Sequence, residues 1–256
     1  MRLRLHLESE TRMFIPFNYQ YQLQSAIYAV ISKSSSAYSS NLHDKGFDST
    51  GKPLKLFTFS RLILSNAQKT RAGFIDVKEM ELYFSTEVEE SFKHIVLGIF
   101  SDQVLELNFQ KRNKIFISNV ETLSEPDFGN EMKFSCLSPI TVSKTDERGK
   151  HYLDYMNPDE REEFGEAIRN NLLRKYQQIQ GEEYSGDTEF ALDFDAGYIV
   201  RKQGRISKLI SFKDGLKIKA MEAPFKIKAD KELIKIGYTC GFGELNSAGF
   251  GMVKEV

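Results

Sequence analysis

The chain has 256 residues, 41% hydrophobic and 28% charged, with a net charge of −1; this is an ordinary globular composition and suggests one large or two small domains. The charge balance does not advertise a nucleic-acid partner, no apolar run approaches membrane-spanning length, and Met1–Leu7 alternates where a secretory leader would be continuously apolar. Cys136 and Cys240 have neither metal-ligand nor disulfide spacing, so the expected setting is a reducing cytoplasm, with no membrane and no metal.

Residues 2–8 read as a strand, with Leu3, Leu5 and Leu7 on one face and Arg2, Arg4 and His6 on the other. Pro16 and Asn18 introduce a helix over about 19–33, whose apolar stripe is Leu23, Ala26, Ile27, Val30 and Ile31. Tyr28 sits off that stripe, on the side of Tyr21, Gln24 and Ser25. The polar run 34–41 is expected to end the helix, and 42–55 to form a loop. Strands follow at about 56–64 and 73–85, then a helix near 87–100 opened by a Thr86–Glu89 capping box, then strands near 103–109 and 114–123. The order is β-α-β-β-α-β, the ferredoxin-like arrangement.

The turn-rich stretch 126–130 divides the chain into residues 1–126 and 131–256. A strand over 132–143 opens the second half, and Asn157, Pro158 and Glu160 signal a helix over about 158–179 that buries Phe164, Ile168, Leu172, Tyr176 and Ile179. Further strands are expected over the Phe190–Phe194 alternation, near 205–212, and over 216–228 with a lysine-rich outer face. A short helix over 230–236, a glycine-rich stretch and a strand over 250–255 complete a second β-α-β-β-α-β unit. The fold class is therefore α+β, with two tandem ferredoxin-like domains and a C-terminal glycine-rich loop.

Charge is segregated along this second half. Fourteen acids face six bases over 146–195, whereas eleven bases face four acids over 201–235. This pattern suits one acidic and one basic face. Five glycines fall within 237–251, where Gly-Phe-Gly occurs twice. A loop of this kind serves as a strand connection or as a cradle of backbone amides for an anion; no Walker or dinucleotide motif accompanies it. Among four histidines, His6, His94 and His151 read as structural or surface residues. His43 lies in a polar loop and is available for proton transfer near neutral pH. No serine-hydrolase elbow, Cys-His nucleophile signature or HExxH helix is present.

The stretch 237–253, Gly-Tyr-Thr-Cys-Gly-Phe-Gly-Glu-Leu-Asn-Ser-Ala-Gly-Phe-Gly-Met-Val, resembles the C-terminal signature of the CRISPR-associated endoribonucleases that process repeat RNA, the Cas-six type of the RAMP superfamily. Residues 19–28 are similar to that family's first helix, Lys55–Ser60 to the strand after its active loop, and Leu137–Ile140 to the first strand of its second domain. The resemblance spans nearly the whole chain and implies two ferredoxin-like domains that cut RNA without a metal or other cofactor. It implies Tyr28, His43 and Lys55 as catalytic residues, with Lys45 and Lys52 as alternatives for the lysine. Attack by the RNA 2′-OH on the adjacent phosphate would leave a 2′,3′-cyclic phosphate and a 5′-OH. Lys217, Lys219, Lys226 and Lys228, with Gly241, Gly243, Asn246, Ser247, Gly249 and Gly251, are expected to hold the RNA phosphates. On this reading Gly249→Asp or Lys217/Lys219→Glu would weaken RNA binding far more than folding. The implied partners are precursor and mature CRISPR repeat RNA, with other CRISPR effector subunits or a second copy of the chain as further candidates. The alternative is a non-catalytic RNA-binding RAMP subunit of an effector complex, which needs neither Tyr28 nor His43.

Overall fold

The computed structural model describes residues 1–44, 54–109, 112–147 and 149–256. The first half contains β1 (Arg2–Pro16), α1 (Gln20–Ser34), α2 (Ser36–Asp44), β2 (Phe57–Phe59), β3 (Ile63–Leu64), β4 (Gln68–Lys69), β5 (Gly73–Thr86), α3 (Glu89–Asp102), β6 (Val104–Asn108) and β7 (Arg112–Leu123). Its sheet is antiparallel with order β2-β5-β1-β7-β6, and the short β3 and β4 also pair with β5. Leu3, Leu5 and Leu7 of β1 point into a core shared with the apolar stripe of α1 and with Ile95 and Ile99 of α3. The two helices cross closely at Gly98, where any Cβ would collide with the Val30 carbonyl.

The second half contains β8 (Glu131–Cys136), β9 (Ser143–Asp146), β10 (Gly149–Tyr152), α4 (Arg161–Gln180), β11 (Ala191–Phe194), α5 (Ala196–Arg201), β12 (Ser207–Ser211), β13 (Lys217–Met221), β14 (Phe225–Lys228), α6 (Lys231–Cys240) and β15 (Val253–Glu255). The main sheet has order β11-β14-β8-β15. Taking β8, β11, β14 and β15 as first to fourth gives 2-3-1-4, and β1, β2, β5 and β7 follow the same order in the first half. Both halves are thus ferredoxin-like. The first half adds β6 outside its fourth strand; the second inserts the β9–β10 and β12–β13 hairpins. Asn157 opens the long helix as expected: its Oδ1 accepts from the Asp159 amide at 3.3 Å, and its Nδ2 donates to Glu160 at 2.8 Å.

Four local expectations change. The run 36–44 is helical, because the Tyr38 ring stacks on His94 at 4.3 Å and its hydroxyl meets Ser91 at 2.6 Å, while Ser35 Oγ caps the Tyr38 amide. Tertiary docking overrides weak helix propensity here. Thr86 does not form a capping box; it accepts from the Val88 amide and donates to the Leu56 carbonyl, joining β5 to β2. The stretch 216–228 is two strands in two different sheets, broken at Glu222–Pro224. Gly237–Cys240 belong to α6, so the glycine-rich loop begins at Gly241.

Arg2 also departs from the outward face assigned to it. It is 2% exposed, donating to the Val253 and Tyr238 carbonyls at 2.8 Å each and lying 3.6 Å from the Tyr238 ring centroid. Strand alternation supposes one wet face, but here the second half covers it. Arg61 pairs with Glu222 across the same junction, and Lys235 reaches Glu87 and Glu125.

Candidate functional site

The glycine-rich loop lies against the first half. Gln20, Gln24 and Tyr28 recur every four residues and so share one stripe of α1. Gln20 Nε2 donates to the Gly249 carbonyl at 2.8 Å, and Gln24 Nε2 to the Ser247 carbonyl at 3.2 Å. The Ser247 side chain faces the Tyr28 hydroxyl. From β2, Thr58 Oγ1 donates to the Phe250 carbonyl at 3.0 Å, and Phe59 packs on Gly249.

Tyr28 is partly buried. Desolvation pushes its hydroxyl up to about 12, and Ser247 draws it back part of the way. Its ring meets Phe57 edge-on at 5.9 Å, and Lys55 Nζ lies 5.3 Å from its centroid. Tyr28 and Lys55 are therefore together, although 27 positions apart in sequence. His43 falls in the last turn of α2; its side chain, and all of Lys45 and Lys52, lie outside the described residues.

Several loop amides are already engaged. Phe242 N donates to Gly251, Glu244 N to Thr141, Gly249 N to Asn246 and Gly251 N to Pro139. Asn246 Nδ2 bridges the Phe242 and Phe250 carbonyls at 3.3 and 3.0 Å. The loop tip thus functions as a packed joint between the halves. Ile218 and Ala220 of the β12–β13 hairpin cover Ala248 and Phe250 from the other side.

Lys175, which no motif singled out, reaches this loop from α4. It is 2% exposed and donates to the Gly241 carbonyl at 2.5 Å and the Gly243 carbonyl at 3.1 Å. Burial pushes its ammonium down to about 7. Above pH 7 the unfolded chain, with an ordinary lysine value of 10.5, holds one more proton than the folded one. Between those two values stability therefore rises with pH, by up to ~1.4 kcal/mol per unit; below 7 this dependence vanishes. Denaturant titrations of wild type and Lys175→Met from pH 6 to 10 check this, the slope being expected in wild type alone.

The expected RNA lysines are dispersed. Lys219 pairs with Asp154 at 3.2 Å, Lys226 with Glu131 at 2.8 Å and Lys228 with Glu189 at 2.7 Å. Lys217 and Lys219 belong to the hairpin, Lys226 and Lys228 to the main sheet. A denser basic surface lines a cleft of about 840 Å³ between the halves, where Arg61, Lys69, Lys202, Arg205, Lys208 and Lys254 converge. Glu222 is the one acid among the described residues lining it, and it is engaged by Arg61. Among the described residues, no helix is long and apolar enough to cross a membrane.

Two family models match the chain. That of the CRISPR-associated protein Cas6, N-terminal, covers residues 14–121, and that of Cas6, C-terminal, covers residues 123–255. The chain is 33% identical to CRISPR-associated endoribonuclease Cas6 1 of Methanocaldococcus jannaschii, over 100% of this chain and 93% of that protein. It is 31% identical to CRISPR-associated endoribonuclease Cas6 of Pyrococcus furiosus, over 98% and 88%. A solved CRISPR-associated Cas6 protein superposes with TM-score 0.77 at 30% identity, covering 100% of this chain and 99% of the other. The structure of a Cas6-related gene product from Pyrococcus furiosus superposes with TM-score 0.80 at 25% identity, covering 100% and 98%.

Proposed function

The chain belongs to the Cas6 family of CRISPR-associated endoribonucleases, and from that premise we propose that it cuts precursor CRISPR RNA within its repeats without a metal ion. The observation that carries this reading is the meeting of Tyr28, Lys55 and Ser247 where α1 touches the glycine-rich loop.

RNA supplies its own nucleophile, the 2′-OH. Its proton must be removed as the oxygen attacks the adjacent phosphorus, and the departing 5′-oxygen must gain one. The products are a 2′,3′-cyclic phosphate and a 5′-OH. With its hydroxyl held up to about 12, Tyr28 is protonated at neutral pH. It therefore acts as a donor, toward the leaving 5′-oxygen or a phosphate oxygen. His43 takes the 2′-OH proton, since a histidine ordinarily titrates near 6.5 and is largely neutral above that. Lys55 stabilises charge that grows on the phosphorane oxygens. The cations of the interdomain cleft bind the flanking strand through its phosphates, with Lys217 and Lys219 on the hairpin beside them and Lys226 and Lys228 on the sheet beyond. Loop residues Gly241 to Gly251 shape the wall against which the scissile phosphate rests.

Incubation with repeat RNA in excess EDTA tests the reading. Undiminished cleavage is expected, with 3′ fragments bearing a free 5′-OH and 5′ fragments resistant to phosphatase until the cyclic ester is opened. Dependence on a divalent ion, or a 5′-phosphate on the product, would overturn the mechanism. RNA bound but never cut by clean protein would instead favour a binding subunit.

A further inference from the structure

Among the described residues of the second half, Lys175 is the most deeply buried basic side chain, and the cleavage chemistry does not use it. Lysine enters a protein interior at a high desolvation cost, so a buried one needs a purpose in its partners. Here those partners are the carbonyls of Gly241 and Gly243, two residues apart in the glycine-rich loop, at 2.5 and 3.1 Å. Other charged or titratable groups near the ammonium are Cys240 at the end of α6, Glu244 in the loop and Arg174 on its own helix. Glu244 is turned to Ser143 and Lys150, and burial keeps the Cys240 thiol above its ordinary value. The lysine thus holds carbonyls and neutralises no buried carboxylate.

From those carbonyls the loop runs in a few residues to the Tyr28 hydroxyl. Asn246 ties Phe242 to Phe250 across the loop, and Ser247 follows it directly, its carbonyl accepting from Gln24 Nε2 and its side chain facing the Tyr28 hydroxyl. Releasing Gly241 and Gly243 therefore frees the segment that sets where Ser247 stands. We propose that Lys175 is a positioning residue for RNA cleavage, acting through the glycine-rich loop to hold Ser247 against Tyr28. This rests on the reading of Tyr28 as a catalytic residue.

A double-mutant cycle on the full-length protein reads the coupling. Single-turnover rates at saturating repeat RNA are compared for wild type, Lys175→Met, Ser247→Ala and the double variant. Each single variant is expected to lose about tenfold with RNA affinity within threefold, and the double variant no more than either alone. Lys175→Gln, which keeps amide donors without the charge, is expected to recover most of the rate and serves if the methionine variant folds poorly. Independently of activity, the Cζ resonance of 13C-labelled Tyr28, assigned by its loss in Tyr28→Phe, should move in Lys175→Met and in Ser247→Ala. Additive rate losses, or a Tyr28 resonance unmoved by Lys175→Met, would overturn the proposal. If Tyr28→Phe itself cuts at the wild-type rate, the catalytic reading fails, and the resonance shift alone then decides whether Lys175 governs Tyr28.

Discussion

Tyr28→Phe is expected to slow single-turnover cleavage of repeat RNA by about 10²–10⁴-fold, the usual worth of a well-placed proton donor. RNA affinity should stay within a few fold. The substitution removes one oxygen and leaves the ring against Phe57 and beneath Lys55, so folding is preserved. Desolvation sets the chemical role. A phenol held near 12 cannot serve as a tyrosinate base near neutral pH, but it can donate a proton or a hydrogen bond. The pH–rate profile follows from this. The rate should climb as His43 loses its proton and then stay level past the ordinary tyrosine value of 10.0, because Tyr28 keeps its proton beyond it. A wild-type rate in Tyr28→Phe, or a descending limb centred well below 10.0 that the substitution removes, would count against Tyr28 as the donor.

Much of this architecture is legible because it rests on local periodicity. Leu3, Leu5 and Leu7 alternate, the α1 stripe recurs at helical spacing, and Asn157 with Glu160 announces the long helix. Tyr28 could be placed on the polar side of its helix by the same arithmetic. What escaped is what elements distant in sequence impose on one another. Arg2 looks solvated in a strand with one wet face, and it is buried only because α6 and β15 close over it. The serine-rich run 34–41 looks like a helix terminator, yet Tyr38 finds a docking place on α3. Lys175 did carry a signal. It falls three residues after Leu172 and seven after Ile168, on the apolar stripe of α4, where a lysine has no business unless something buried needs a donor. Its setting in an acid-rich stretch made it resemble a surface charge. The 216–228 alternation reads as one strand because β13 and β14 share a period while belonging to different sheets.

Gly249→Asp is expected to unfold the joint between the halves, a different outcome from the selective loss of RNA binding that the sequence suggests. Gly249 is buried with φ +83°, and a Cβ there would stand 2.5 Å from the Phe59 ring. Three costs coincide. A left-handed backbone costs an L-residue about 1–2 kcal/mol, overpacking against a fixed ring costs about 1–3 kcal/mol, and a carboxylate is brought among apolar groups without a partner. A loss of at least ~4 kcal/mol, or roughly 10 °C in Tm for a chain of this size, is the expected result. Gly215 provides the control, since its φ is +77° but nothing lies within 4 Å of where a Cβ would be. Gly215→Ala should cost about 1 kcal/mol, the backbone contribution alone, and Gly249→Ala should fall between it and Gly249→Asp. Thermal melts of the three variants separate strain from collision. If Gly249→Asp melts with wild type yet no longer binds RNA, position 249 contacts the ligand and the packing against Phe59 is dispensable. If it melts early, the glycine-rich loop is first a strut: Gln20 and Gln24 from one half and Lys175 from the other fasten its carbonyls, and the Tyr28 site exists only where both halves grip it.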